Sequence, residues 1–233
     1  MRITQKIGKL FHPDGYRSAW AGMRRMTYPL RTSEFVEKLD RDGLKRIVEK
    51  YSVPGEKVRY AKYLDVAEWM PTNVKRIRDV RLFRAPPVQR VLDIGSGAGW
   101  FLFIAKCLGH DPIGLDIDVI PMYRETFALL ELPRVLHRIE PYQSLPNLGA
   151  RFDLITAHMT CFNLYPDGTH WGPEEWGFFL ADLGKRLRPG GRVHLDLNPA
   201  PDGSHMASDL RKFFLKCGAR VDRRRVFWQS SSR

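Results

Sequence analysis

The segment Arg90-Val-Leu-Asp-Ile-Gly-Ser-Gly-Ala-Gly-Trp100 carries an apolar run ending in Asp93, then breaks into Gly95, Gly97 and Gly99. A second apolar run, around Gly114-Leu-Asp-Ile-Asp118, ends in Asp116, 21 positions after Gly95. The pattern predicts a buried strand, a glycine turn, a helix, and a second strand with an acid at its tip. Glycines there let the backbone turn sharply and approach a ligand with no Cβ in the way. The second acid is placed to accept hydrogen bonds from two ribose hydroxyls. The chemistry that fits is the binding of a nucleoside cofactor. The bland alternative is a tight strand-helix turn that binds nothing.

A dinucleotide fingerprint requires G-x-G-x-x-G, with the pyrophosphate on the helix N-terminus. Here the third glycine comes one position early, and Trp100 stands where the last glycine would be, so a nicotinamide cofactor is disfavoured. The segment instead resembles motif I of class I S-adenosylmethionine-dependent methyltransferases, V-L-D-x-G-x-G-x-G. Two further stretches resemble the same family in its order. Arg151-Phe-Asp-Leu-Ile-Thr-Ala157 is similar to its fourth strand, and Leu187-Arg-Pro-Gly-Gly191 before Val193-His-Leu-Asp-Leu197 to the turn before its fifth. The resemblance covers about residues 74–228. It implies S-adenosylmethionine as cofactor and S-adenosylhomocysteine as product. It places Asp93 near the methionine end of the cofactor and Asp116 on the ribose.

Alternating strand and helix patterns predict an α/β fold: a doubly wound, mostly parallel Rossmann-like sheet with helices on both faces. Strands are expected near 90–94, 112–116, 134–139, 152–157, 192–197 and 219–228, and helices near 99–108, 120–131, 174–188 and 207–217. Residues 88–233 would form the cofactor domain, and residues 1–87 a basic helical cap on the substrate side. Within the cap, helices are expected over 33–51 and 55–70. Pro71-Thr-Asn73 would end the second, Val74 to about Phe83 would form another, and Ala85-Pro-Pro87 a linker. Only about 15 residues follow Gly218, so a short or incomplete final hairpin is expected where the family places its sixth and seventh strands.

Ligands of open α/β sheets bind outside the carboxyl ends of the strands. That rule nominates Gly95, Ser96 and Gly97 after the first strand, and Asp116 and Ile117 after the second. After the third, the resemblance places adenine contacts at Ile139 and Glu140, with Pro141 a departure from the family. The loop after the fourth strand is the most unusual part of the chain, gathering His158, Asn163, Asp167, His170, Trp171 and Trp176. Methyl transfer requires alignment of nucleophile and methyl, and in some cases removal of a proton. Histidine is the natural base near neutral pH. His158, at the strand tip, would touch the methionine part of the cofactor or act on the substrate as a catalytic group, and His170 is the better candidate for a base on a mobile loop. For either one alone the leading reading is an ordinary hydrogen-bonded histidine, and for the two tryptophans it is core and lid packing rather than a stacking platform. His158, Asp167, His170 and Asp196 have no spacing diagnostic of a metal, so none is expected.

The chain has 233 residues, 43% of them hydrophobic, enough for a substantial core. No apolar run approaches the roughly 20 residues of a membrane span. No secretory signal is visible, and three scattered cysteines suit a reducing cytoplasm. The net charge of +12 is uneven: residues 1–87 hold 20 Lys/Arg against 10 Asp/Glu, and the remainder 18 against 16. Attraction of the N-terminal part to an anionic surface or substrate follows from this. Residues 1–31 mix bulky apolar and basic side chains, which suits either a packed helical cap or peripheral membrane contact.

The leading expectation is methylation, on oxygen, of a small molecule or a glycan or lipid precursor. The (Asp/Asn)-Pro-Pro-(Tyr/Phe) signature common in the family's amino-methylating enzymes is absent, the place reading Ala157-His-Met-Thr160. An RNA methyltransferase using the basic N-terminal part is the alternative, although no RNA-binding module is recognisable and nucleic acid is not favoured. A non-catalytic scaffold that keeps the cofactor fold is the third reading.

Overall fold

A computed structural model describes residues 30–52, 61–83, 87–159, 161–199 and 205–229. The expected short helices and membrane contact of residues 1–31 therefore lie almost wholly outside the described residues, as do most of the linker at Ala85–Pro87 and the start of the 55–70 helix. The chain divides into two compact units, Met1–Lys38 and Leu39–Arg233. The expected boundary at 87/88 thus falls inside the second unit.

The first unit contains α1 (Thr32–Val36). The expected helix 33–51 is broken, because Asp40 caps a new helix, α2 (Arg41–Tyr51), its carboxylate accepting from the Gly43 amide at 2.9 Å. A 3₁₀ turn over Ala61–Leu64 precedes α3 (Val66–Asp79). The helix expected to stop at Pro71 runs through it. Asp65 caps its start through the Ala67 and Glu68 amides, and Met70, Val74 and Ile77, one buried stripe, hold the helix together past the proline.

The sheet comprises β1 (Arg90–Ile94), β2 (Asp111–Asp116), β3 (Arg134–Leu136), β4 (Phe152–His158), β5 (Leu187–Asp196), β6 (Arg220–Asp222) and β7 (Arg225–Gln229). Between them run α4 (Trp100–Cys107), α5 (Pro121–Leu129), α6 (Pro173–Arg186) and α7 (Ser208–Lys216). The strand order is β3-β2-β1-β4-β5-β7-β6, with β7 antiparallel to both β5 and β6. The strand expected over 219–228 is therefore a hairpin, short but complete, turning at Arg223 with φ 56°.

Alternation along each strand separates two faces. Leu92, Ile94, Ile155, Ala157, Val193, Leu195 and Val226 enter an apolar core with Trp176, Phe179, Leu183 and Phe214 of α6 and α7. The intervening residues, Asp93, Thr156, His158, His194 and Asp196, are buried and polar. Across this second face Phe101 of α4 packs on the His158 ring, and Asp79 of α3 pairs with Arg225 of β7 at 3.1 Å. The polar face ends at the carboxyl tips of β1 and β4, and so sets the site.

Candidate active site

At the end of β1, Gly95, Gly97 and Gly99 have φ of 68°, 54° and 82°, the left-handed region in which a Cβ is strained. The Gly95 amide donates to Leu115 O at 2.7 Å, which joins the turn to β2. The Gly97 amide donates to Asp116 Oδ2 at 2.6 Å, and the Ile117 amide to Asp116 Oδ1 at 2.7 Å. Burial pushes the Asp116 carboxyl up, while those two amides and Arg134 draw it back. Trp100 lines the cavity at these strand tips but is largely buried, and its indole donates to Tyr63 O at 2.7 Å.

A cavity of about 830 Å³ opens at the strand tips. The glycine turn lines it through Gly95, Ser96 and Gly97, and β1 and β2 contribute Asp93, Asp116 and Ile117. Ile139, Glu140 and His158 complete the set expected from the sequence, so the fold brings all of those positions to one cavity. Asp93 accepts from the Thr156 hydroxyl at 2.7 Å. Burial pushes its carboxyl up to about 7, against the pull of that hydrogen bond and of Arg76. The His158 ring lies 4.8 Å from Phe101 and 5.5 Å from His194, and neither of its nitrogens has a hydrogen-bond partner among the described residues. Burial, then Arg76 and His194, hold the imidazole well below its usual pKa and therefore neutral.

His170 stands elsewhere. Backbone bonds from Tyr165 N to Thr169 O (2.8 Å) and Trp171 N to Asn163 O (2.9 Å) fold residues 163–171 into a small hairpin. His170 pairs with Leu164 on its returning arm; Leu164, Tyr165 and Pro166 of the same hairpin line the cavity, and His170 is not among the lining residues. Asp167 is exposed at the hairpin tip, far in character from buried Asp196, which pairs with Arg224 at 3.0 Å. Among the described residues no three His, Cys, Asp or Glu side chains gather as metal ligands. Trp171 and Trp176 are buried among Phe162 and Phe179.

Sequence reasoning missed the contribution of α3. Trp69, Asn73 and Arg76, spaced as one helical stripe, line the cavity beside Tyr63, whose ring is 5.0 Å from Trp69. Breaking the helix at Pro71 divided that stripe between two elements, although the i, i+4, i+7 spacing was there to read.

The side chains fit a nucleoside thioether or sulfonium. The turn presents backbone without Cβ atoms, and a Cβ at Gly97 would reach ordinary contact with the Tyr123 ring at 3.8 Å. The buried Ser96 hydroxyl has no hydrogen-bond partner among the described residues. Ile117 and Ile139 offer apolar walls, and Asp116 keeps lone pairs for ribose hydroxyls.

No family model matches the sequence, and no curated protein does. The fold is similar to DesVI of Streptomyces venezuelae, at 22% identity and a TM-score of 0.42, over 56% of this chain and 52% of that one. It is also similar to the CcbJ methyltransferase of Streptomyces caelestis, at 20% identity and TM-score 0.44, over 59% and 53%. A third likeness is CalS10 of Micromonospora echinaspora, described as an amino pentose methyltransferase and solved with bound SAM, at 23% identity and TM-score 0.42, over 58% and 53%. The chain spans about half the length of these structures, and at such values the likeness says nothing of acceptor or reaction. The strand order itself, with its seventh strand inserted antiparallel between the fifth and sixth, is that of the class I methyltransferase fold.

Proposed function

We propose that the protein is an S-adenosylmethionine-dependent methyltransferase acting on a small-molecule acceptor, with oxygen as the accepting atom. The observation that carries this reading is the clamp of the glycine turn onto Asp116 at the mouth of an 830 Å³ cavity. Asp116 would hold the ribose, Ile117 and Ile139 the adenine, and Glu140 its edge. Asp93 and Ser96 would face the amino-acid end, and His158 the methionine part. When bound, the cofactor supplies an electrophilic methyl group carried on a sulfonium.

The chain's own contribution is alignment and desolvation. Tyr63, Trp69, Phe162 and Tyr165 give the remaining cavity an aromatic wall suited to a ring-bearing acceptor. The neutral imidazole of His158 is too weak a base to ionise an ordinary hydroxyl. It suits a different task, orienting an acceptor or cofactor group through one hydrogen bond. His170, on the hairpin that brings Leu164 and Tyr165 to the cavity, would remain the candidate for a base. The oxygen preference rests on the sequence at Ala157–Thr160, and a glycan or lipid precursor remains within the class.

Among the described residues no helix is long and apolar enough to cross a membrane. Calorimetric titration with S-adenosylhomocysteine, with NAD as control, tests the reading. Micromolar binding of the first alone supports it, and binding of neither withdraws it.

A further inference from the structure

Arginines in this domain that are partly shielded from solvent generally have a carboxylate. Arg186 pairs with Asp182 at 3.0 Å, Arg134 with Asp118 at 3.2 Å, Arg225 with Asp79 at 3.1 Å and Arg224 with Asp196 at 3.0 Å. Arg76 differs. Its Nη1 donates to the Asn73 side-chain oxygen at 3.0 Å, and it has no ion pair with any described carboxylate. Arg192 is similarly served by Gln89, at 3.2 Å, but Arg192 does not line the cavity and Arg76 does.

The two acids whose charge reaches Arg76 are Asp93 and Asp196. Neither is a full counter-ion. Asp93 is bonded to Thr156, with its carboxyl pushed up to about 7 by burial, and Asp196 already serves Arg224. Burial lowers the Arg76 pKa, as expected of a cation short of compensation. A guanidinium withdrawn from water is costly unless an anion meets it, and its planar fork matches a carboxylate through two parallel bonds.

We infer that Arg76 is a docking residue for a ligand carboxylate, placed beside Asp93 and His158 in the cavity. One source of that carboxylate rests on the proposed function. With the ribose on Asp116, the amino-acid end of the cofactor would be held by Asp93 and Arg76, which line the same cavity. The other source is an acidic group on the acceptor, for which the neighbouring aromatic wall suits a ring-bearing acid.

Calorimetry on the full chain separates these. S-adenosylhomocysteine is compared with 5′-methylthioadenosine, the same nucleoside thioether without the amino-acid end, on wild type, Arg76→Gln and Arg76→Lys. If the cofactor supplies the carboxylate, Arg76→Gln weakens the first ligand about 10- to 100-fold. It leaves methylthioadenosine within about threefold, and Arg76→Lys recovers part of the loss. Benzoate titrated into the loaded protein is the second arm. Unchanged S-adenosylhomocysteine binding, with benzoate binding lost in Arg76→Gln, assigns the carboxylate to the acceptor and sustains the inference. Equal loss of both nucleosides, or no change with S-adenosylhomocysteine and benzoate alike, overturns it. A wild type that binds no S-adenosylhomocysteine defeats the cofactor reading instead, and benzoate on the free protein then decides Arg76.

Discussion

The Gly97 amide and the Asp116 carboxylate are joined at 2.6 Å, so the turn after β1 and the acid at the tip of β2 form one unit. Asp116 thereby shapes the turn and, under the proposed function, would offer its remaining lone pairs to a ribose. Asp116→Ala should weaken S-adenosylhomocysteine binding by about 1–3 kcal/mol, or roughly 5- to 150-fold, with the larger figure if the turn relaxes. Unchanged affinity in calorimetry would show that the ribose is held elsewhere.

The glycines of the turn differ in what confines them. At Gly99 a Cβ would come within 2.9 Å of the Phe127 ring and 3.0 Å of Leu132, on top of a φ of 82°. At Gly97 the nearest atom is 3.8 Å away, on Tyr123, and only the φ of 54° opposes a side chain. Strain of about 1–2 kcal/mol is common to both, and overpacking adds about 1–3 kcal/mol at Gly99. Gly99→Ala should therefore melt roughly 4–20 °C below wild type, and Gly97→Ala roughly half as far below. Thermal unfolding in the reverse order would refute this division of roles.

The cofactor half of the site was legible because its devices are local. A strand ending in Asp93, three closely spaced glycines and an acid at Asp116 specify their own geometry over a few residues. The α3 wall of the cavity was not. Trp69, Asn73 and Arg76 reach the cavity only because α3 continues through Pro71 and packs across the polar face of the sheet, which propensity alone argues against. The placement of His170 was hidden for the complementary reason. Residue type nominated it, but backbone pairing of the 163–171 hairpin decides where it lies. The closing hairpin was undervalued because so few residues remained, yet a three-residue β6 completes the seven strands.

Asp182 of α6 is buried and accepts from the Leu145 amide at 2.9 Å and from Arg186 Nε at 3.0 Å. Arg186 in turn donates to Pro146 O at 2.7 Å and to Leu145 O, so the pair fastens the segment after β3 onto the helix. Asp182→Ala leaves a guanidinium and an amide without their acceptor. A loss of about 3–5 kcal/mol is expected, read as a lowered denaturant midpoint with unchanged slope. A loss below about 1 kcal/mol would mean that water replaces the carboxylate at little cost.

Asp93 gives the fold a pH signature whose sign is set by burial. Its carboxyl is pushed from 3.8 up to about 7, so the folded chain holds this proton more tightly than the unfolded chain. The stability it contributes is full below about pH 4 and is lost as pH rises through about 7. Asp93→Asn cannot ionise and keeps an oxygen for the Thr156 hydroxyl. The variant should gain on wild type steadily from pH 4 to 7, by on the order of 1–4 kcal/mol, with a constant difference above pH 8. His194 works in the opposite direction. Burial first, then the arginines around it, hold its pKa down to about 3, so its contribution is present above about pH 6.5 and lost as pH falls. Present in both proteins, it largely cancels in their difference. Melting both between pH 4 and 8 reads the Asp93 term alone, and a difference flat across that range would place the Asp93 carboxyl at its ordinary value.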